Sequence, residues 1–296
     1  MHNFNQLLPH ELAQLPTEAD ILQYEQRGWY ISPYVISDDI IDAAVNGADA
    51  LYRGERNRNC PEIIGPANDQ WSQNKVLLNN EFACLQRSEI WDLVSVPMIS
   101  AIAATLARTK QIRLFADALM CKYPANNQDN GVFGWHTDKA YWPSCTSNNM
   151  LTAWVAMQDT TIDMGPMYVI ENSHHWDLDN GLKQFCAHGV KDLSLLEDYL
   201  QHSGLTYRSV PITIKKGQMS FHHCNAFHGS AINQSDLRRM SLTIHFQDEK
   251  NAYHPVFNES GDRIIIGYDK ICREDEHGYP DYHDPNIFPI LWNEYE

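Results

Sequence analysis

The sequence predicts a mainly β protein with flanking helices, built as a sandwich or jelly roll. Two observations carry this. Between residues 111 and 246, short apolar and β-branched runs recur, separated by Pro, Gly, Asn and Asp punctuation. Ahead of them, apolar residues recur at helical spacing. The chain has 296 residues, 43% of them hydrophobic and 20% charged, which suits one well-packed domain of this class. We read 1–296 as a single domain. Residues 1–110 form a helical N-terminal part with a lid loop, 111–250 the β core, and 251–296 a C-terminal wrap.

In chain order, Thr17 with Asp20 three residues on forms a capping box for a short helix, and Gly28 ends it. Trp29-Tyr30-Ile31 reads as a strand. Ser37, with Asp38 and Asp39 in the following turn, starts a second helix whose stripe is Ile40, Ile41, Ala44, Val45, Ala48 and Leu51. Residues 54–80 are polar and rich in Gly, Pro and Asn, and read as a long lid-like loop. Ile90, Leu93, Ile99, Ile102, Ala103 and Leu106 give a helical stripe interrupted by Pro97. Ile112 to Cys121 is the first core strand, and Val132 to Asp138 the second. Further strands are Met150–Met157, Met167–Ile170, Ser209–Ile214, Met219–His222 and Met240–Phe246, with a short helix over Leu195–Leu200. No internal repeat or low-complexity segment is present.

Charge and cysteine usage narrow the function. With 22 Lys and Arg against 38 Asp and Glu, the formal net charge is −16, which disfavours nucleic acid or an anionic membrane as partner. The seven cysteines form no Cys-x-x-Cys pair and suit a reducing compartment. The N-terminus shows no secretory pattern, and the longest apolar run, near Val96 to Ala107, is too short to span a bilayer. A cytoplasmic protein is expected, acting on a small molecule. Nothing in the sequence sets its oligomeric state.

The chemistry centres on Gly134-Trp135-His136-Thr137-Asp138. On an extended segment alternate side chains share a face, so His136 and Asp138 point the same way. Two such ligands plus one distant histidine compose the 2-His-1-carboxylate site of non-heme Fe(II) oxygenases. His228, in Phe227-His228-Gly229-Ser230, lies 90 positions after Asp138, enough chain to traverse several strands and return. His222 and His223 compete with it, but neither is followed by the Gly-Ser…Arg pattern. From Arg239 the chain alternates, so Arg239, Ser241, Thr243 and His245 share the inner face, and Arg238 faces outward. A buried guanidinium requires an anion, and its planar fork matches a carboxylate. A dicarboxylate cosubstrate would meet that need while chelating iron from its other end.

These segments resemble the phytanoyl-CoA dioxygenase family of Fe(II)/2-oxoglutarate oxygenases. The matching blocks are Trp135-His136-Thr137-Asp138-Lys139-Ala140-Tyr141-Trp142-Pro143, Thr152–Met157, Asp163–Ile170 with Ser173-His174, and His228-Gly229-Ser230 through Arg239. Their order and spacing agree over about 115–250. The resemblance implies a double-stranded β-helix (jelly roll, cupin-like). It implies iron on His136, Asp138 and His228, with 2-oxoglutarate and O2 as cosubstrates. Arg239 would pair with the distal carboxylate, beside the Ser230 hydroxyl, and Trp154 would line the cosubstrate pocket. Lys75 falls roughly where the family has a cosubstrate-contacting lysine. Glu171-Asn172 stands where the family usually has Pro-Gly.

Trp135, Tyr141 and Trp142 read either as packing or as an aromatic substrate wall, and Lys139 either as a substrate contact or as a solvated side chain. Related halogenases carry Ala or Gly at the position of Asp138, so hydroxylation is expected here rather than chlorination. Demethylation, desaturation and cyclisation use the same centre. Two other classes remain: a non-catalytic metal-binding jelly roll acting as sensor or structural module, and a zinc hydrolase. Both leave Arg239 without a role.

Overall fold

A computed structural model describes residues 2–62, 64, 76–126, 131–179, 181–186 and 192–295. Its centre is two facing antiparallel sheets. The strands are β1 (Trp29–Ile31), β2 (Leu77–Glu81), β3 (Gln111–Lys122), β4 (Phe133–His136), β5 (Leu151–Ala156), β6 (Met167–Ile170), β7 (Ser209–Pro211), β8 (Met219–His223), β9 (His228–Ser230), β10 (Arg239–Asp248) and β11 (Ile290–Asn293). The larger sheet runs β1-β8-β5-β10-β3-β11, with β2 also on β3. The smaller runs β4-β9-β6-β7. Among the described residues, all pairings between these strands are antiparallel. Mainly antiparallel sheets with flanking helices answer the fold class expected from the strand pattern.

The helices are α1 (Pro9–Leu12), α2 (Glu18–Arg27), α3 (Asp38–Tyr52), α4 (Ala83–Gln86), α5 (Ser88–Val94), α6 (Pro97–Leu106) and α7 (Ser194–Ser203). Helix α2 starts as the sequence predicts. Thr17 accepts from the Asp20 amide, Asp20 reaches back to the Thr17 amide, and Gly28 ends the helix at φ 81°. Pro97 occupies the first turn of α6, where its missing N–H costs nothing. Ile41, Ala44 and Leu51 of α3 join Leu93 and Ile99 in the core behind the large sheet. There they meet Leu242, Ile244 and Phe246 of β10 and Ala153 and Val155 of β5. The alternate residues of those strands therefore face the space between the sheets.

Two expectations are corrected. The supposed loop over 54–80 ends in a strand: Leu77–Glu81 pairs with Ala118–Lys122 of β3. Leu77-Leu78-Asn79-Asn80-Glu81 lacks the apolar–polar alternation that would reveal this strand, and polar Asn79 and Glu81 line the cavity described below. The C-terminal wrap also contributes strand β11, which pairs with Gln111–Arg113. No single helix among the described residues is long and apolar enough to cross a membrane.

Candidate metal and cosubstrate site

Strand β4 ends at His136, and Asp138 opens a 3₁₀ turn, Asp138–Tyr141. Thr137 between them is still extended (φ −116°, ψ 140°), so the two side chains share a side although the strand has stopped. Opposite, His136 pairs directly with His228 of β9, and their rings are 4.1 Å apart. This close pairing requires Gly229, since a Cβ there would stand 2.9 Å from the Phe133 carbonyl oxygen. One ligand atom from each of His136, Asp138 and His228 falls within 4.8 Å of the others, and all three residues are buried.

The hydrogen bonds around them leave a definite donor set. His136 Nδ1–H donates to the Gly134 carbonyl (2.9 Å) and His228 Nδ1–H to that of Ala226 (3.0 Å), so both Nε2 lone pairs point inward. Asp138 Oδ2 accepts from Thr152 Oγ1 (2.6 Å) and from His222 Nε2 (3.2 Å). Thr152 in turn accepts from His245 Nδ1 (2.8 Å). Thus Oδ2 is occupied and Oδ1 is left, 3.4 Å from His228 Nε2 and 4.0 Å from His136 Nε2. An ion with bonds of about 2.1 Å spaces adjacent ligand atoms about 3 Å apart, so a small contraction closes these three on a divalent metal. Two nitrogens and one carboxylate oxygen on one face match the Fe(II) donor set and leave positions open.

The electrostatics agree. Burial alone would raise Asp138, but His228, His222 and His245 outweigh it and hold the carboxylate well below its usual range. Burial, reinforced by His228, lowers His136 to about 3, leaving the neutral imidazole that a metal ligand must be. His228 moves the other way: Asp138 overcomes its desolvation and raises it.

His222, Thr152 and His245 sit in register across β8, β5 and β10. The sequence reading set His222 aside as a competing ligand and gave Thr152 no role beyond the family block. In fact the pair orients the carboxylate. Alternation was the available signal, because both positions share the inward parity of Trp154.

A cavity of about 540 Å³ opens beside the three ligands, lined by Tyr141, Trp142, Trp154, Ser230, Arg239 and His245 among others. Arg239 is 1% exposed, and its Nε and Nη1 have no partner. Its guanidinium carbon lies 5.4 Å from the Trp154 ring centre. Arg238 points out, as alternation predicts, to a bidentate pair with Asp49 at 2.6 and 2.8 Å. Beside Arg239 in the register is Lys122, which the sequence reading missed. Lys122 is fully buried and donates to Ser230 Oγ and to the Ala231 carbonyl, both at 2.6 Å. With its oxygen taken as acceptor, the Ser230 hydroxyl keeps its own proton for a ligand in the cavity. Burial lowers Lys122 to about 6, with Arg239 adding to the effect, and lowers Arg239 to about 10. A buried guanidinium and a buried amine without a counter-charge, two orphaned guanidinium donors and a hydroxyl donor suit the distal carboxylate of 2-oxoglutarate.

Two expected substrate contacts are corrected. Trp135 is 3% exposed and packs with Ile170, Leu196, Leu200 and Phe227 on the far side of the small sheet. It neighbours His136, so pleating turns it away from the cavity. Lys139 does not line the cavity. Its ammonium binds the carbonyls of Cys145 (2.5 Å) and Ser147 (2.7 Å) and ties down the turn after Asp138. Tyr141 and Trp142 do line the cavity. Lys75 lies outside the described residues.

Facing antiparallel sheets enclosing two histidines, a carboxylate and a buried arginine define a jelly-roll oxygenase of the iron and 2-oxoglutarate class. A sequence model of the phytanoyl-CoA dioxygenase (PhyH) family matches residues 24–241, most of the chain, and the protein belongs to that family. Bovine (Bos taurus) peroxisomal phytanoyl-CoA dioxygenase is 23% identical over 286 residues, covering 90% of this chain and 81% of the bovine one. Rice (Oryza sativa subsp. japonica) phytanoyl-CoA dioxygenase 1 is 30% identical over 129 residues, covering 43% of this chain and 39% of its own. Among solved structures, the epimerase SnoN in complex with Fe3+, alpha ketoglutarate and nogalamycin RO superposes with a TM-score of 0.65 at 23% identity. That match covers 93% of this chain and 98% of SnoN. EctD from S. alaskensis with 2-oxoglutarate and 5-hydroxyectoine gives 0.65 at 18% identity, covering 84% and 82%. These structural likenesses extend the fold comparison over nearly the whole chain.

Proposed function

We propose that the protein is an Fe(II)/2-oxoglutarate-dependent dioxygenase that hydroxylates a small molecule. The overall reaction converts R–H, O2 and 2-oxoglutarate to R–OH, succinate and CO2. His136, Asp138 and His228 would hold the iron. Arg239, Ser230 and Lys122 would bind the distal carboxylate of the cosubstrate, and Trp154 would flank it. Bound iron with 2-oxoglutarate supplies the activation of O2 and the oxidising power. The chain's own residues bind, orient and exclude water. Thr152 and His222 keep Asp138 presenting a single oxygen, and the carbonyls of Gly134 and Ala226 fix the tautomers of the two histidines. Tyr141 and Trp142 would wall the substrate space.

The observation that carries this reading is the pairing of an inward-facing N, N, O set with a buried, unpartnered Arg239 in one cavity. A metal-binding sensor or a zinc hydrolase would leave that guanidinium without an anion. Demethylation, desaturation and cyclisation remain outcomes of the same centre, decided by the substrate. SnoN and EctD, solved with alpha ketoglutarate and 2-oxoglutarate respectively, support the cosubstrate assignment. Scattered thiols, all free, support a reducing compartment such as the cytoplasm.

The test is succinate release across a panel of amino acids, amines, alkaloid-like compounds and lipids, with Fe(II), 2-oxoglutarate and O2. Substrate-dependent succinate with oxygen incorporated into product is expected. Tight Zn(II) binding without turnover of 2-oxoglutarate would overturn the reading.

A further inference from the structure

The cavity has a second polar feature that binding of 2-oxoglutarate does not use. Glu81, at the end of β2, lines it together with Tyr268, Trp142 and Tyr141. Resting on the oxygenase reading, we propose that the substrate carries a cationic amine. Glu81 holds that amine, and the rings of Tyr141, Trp142 and Tyr268 flank it.

The sheet register fixes where Glu81 stands. Glu81 pairs with Ala118, Ala118 with Thr243, and Thr243 with Trp154, so these four form one row across β2, β3, β10 and β5. The next row on one side is His245 and Thr152, which lead to Asp138. Two rows away on the other side is Arg239 with Lys122. Glu81 is thus one row from the residues that lead to the metal ligands and two from the cosubstrate's distal end. It lies two strand spacings, about 10 Å, to the side of β10. The intervening residue is Ala118, whose small side chain leaves that span open. An amine on Glu81 therefore leaves a body of several carbon atoms reaching toward the iron position.

Aromatic side chains surround the carboxylate's side of the cavity, and the Tyr268 hydroxyl beside Glu81 works against the desolvation that raises its carboxyl. Tyr268 is itself wedged against Phe82 (5.2 Å, edge-on) and Phe115 (4.9 Å), and Trp142 against Phe115 (5.2 Å) and His245 (4.9 Å). Among the described residues no lysine or arginine pairs with Glu81. Desolvation raises its pKa although the cavity's solvent reaches it, which marks a carboxylate lacking a positive partner. Closing a neutral ligand over it would strip water from that charge without compensation, and an anionic ligand would add repulsion. A cation satisfies the carboxylate and gains from the adjacent ring faces. Residues Ile265, Ile266 and Gly267 line the same cavity and belong to the C-terminal wrap that carries Tyr268.

The experiment is an anaerobic titration of the Fe(II)/2-oxoglutarate complex with three matched probes: 4-phenylbutylamine, 4-phenylbutanol and 4-phenylbutyrate. Binding is followed by tryptophan fluorescence, since Trp142 and Trp154 line the cavity, and by perturbation of the visible metal-to-cosubstrate absorption. The wild type should bind the amine about tenfold more tightly than the alcohol, with the butyrate weakest. Glu81→Gln should erase that ranking while the absorption stays intact, and Glu81→Asp should keep part of it. Equal affinities, no binding of the amine, or a ranking that survives in Glu81→Gln would overturn the inference. If a variant fails to fold, the wild-type ranking decides alone. Absence of the absorption band in the wild type sinks the oxygenase reading instead, and the fluorescence ranking still judges Glu81.

Discussion

Replacing Lys122 with methionine should stabilise the apoprotein while weakening its hold on 2-oxoglutarate. Lys122 is fully buried, and burial with Arg239 beside it lowers its pKa from 10.5 to about 6. Between pH about 6 and 10.5 the unfolded chain binds a proton at this site that the native state does not. Native stability therefore rises with pH across that window and flattens below about 6. At pH 7 the lost protonation costs about 5 kcal/mol, and at pH 9 about 2 kcal/mol. Against this, methionine forfeits the two 2.6 Å hydrogen bonds to Ser230 and Ala231, about 1 kcal/mol each. The variant should then be about 3 kcal/mol more stable than wild type at pH 7 and nearly equal to it at pH 9. At about 2 °C per kcal/mol this is a rise in Tm of about 6 °C that vanishes by pH 9. Thermal melts of the metal-free protein at pH 7, 8 and 9 measure it. A stability gap that does not change with pH, or a variant less stable at pH 7, would refute the reasoning. In the same variant the KM for 2-oxoglutarate should rise about tenfold, because the buried amine that the distal carboxylate would draw a proton onto and pair with is gone.

Thr152→Val removes the donor to Asp138 Oδ2 and the acceptor for His245, and should weaken metal binding about 10- to 100-fold, read by Fe(II) or Co(II) titration. Arg239→Met should raise the KM for 2-oxoglutarate at least tenfold while metal affinity stays near wild type; an unchanged KM would remove Arg239 from the cosubstrate site. Trp135→Ala should cost about 3–5 kcal/mol in denaturant melts through the cavity it leaves, without moving the KM for 2-oxoglutarate. A selective KM effect would return Trp135 to the substrate wall.

Local chemistry was most legible where one short rule decides. The Thr17–Asp20 box set the start of α2, Pro97 split α5 from α6, and alternation after Arg239 told the buried guanidinium from Arg238, which pairs with Asp49. Alternation also placed His136 and Asp138 on one side. Applied to Trp135, the same rule turns that ring away from them. What stayed hidden depends on tertiary context. Lys122 ends a strand where a lysine normally reaches solvent, and only the β3–β10 register shows that it is enclosed beside Arg239. His222 lies in a His-His pair with no sign of which ring is inside. Glu81 sits in a polar stretch that reads as loop until β3 supplies a partner strand. Strand β11 is short and distant in sequence from β3, so no local pattern reveals it.

The central claim is that His136, Asp138 and His228 hold one Fe(II) that 2-oxoglutarate chelates. Anaerobic absorbance tests it most directly. Adding Fe(II) and 2-oxoglutarate to the wild type should produce a visible charge-transfer band, and Asp138→Ala should abolish it. No band in a folded wild type, or a band of equal strength in Asp138→Ala, would contradict the account.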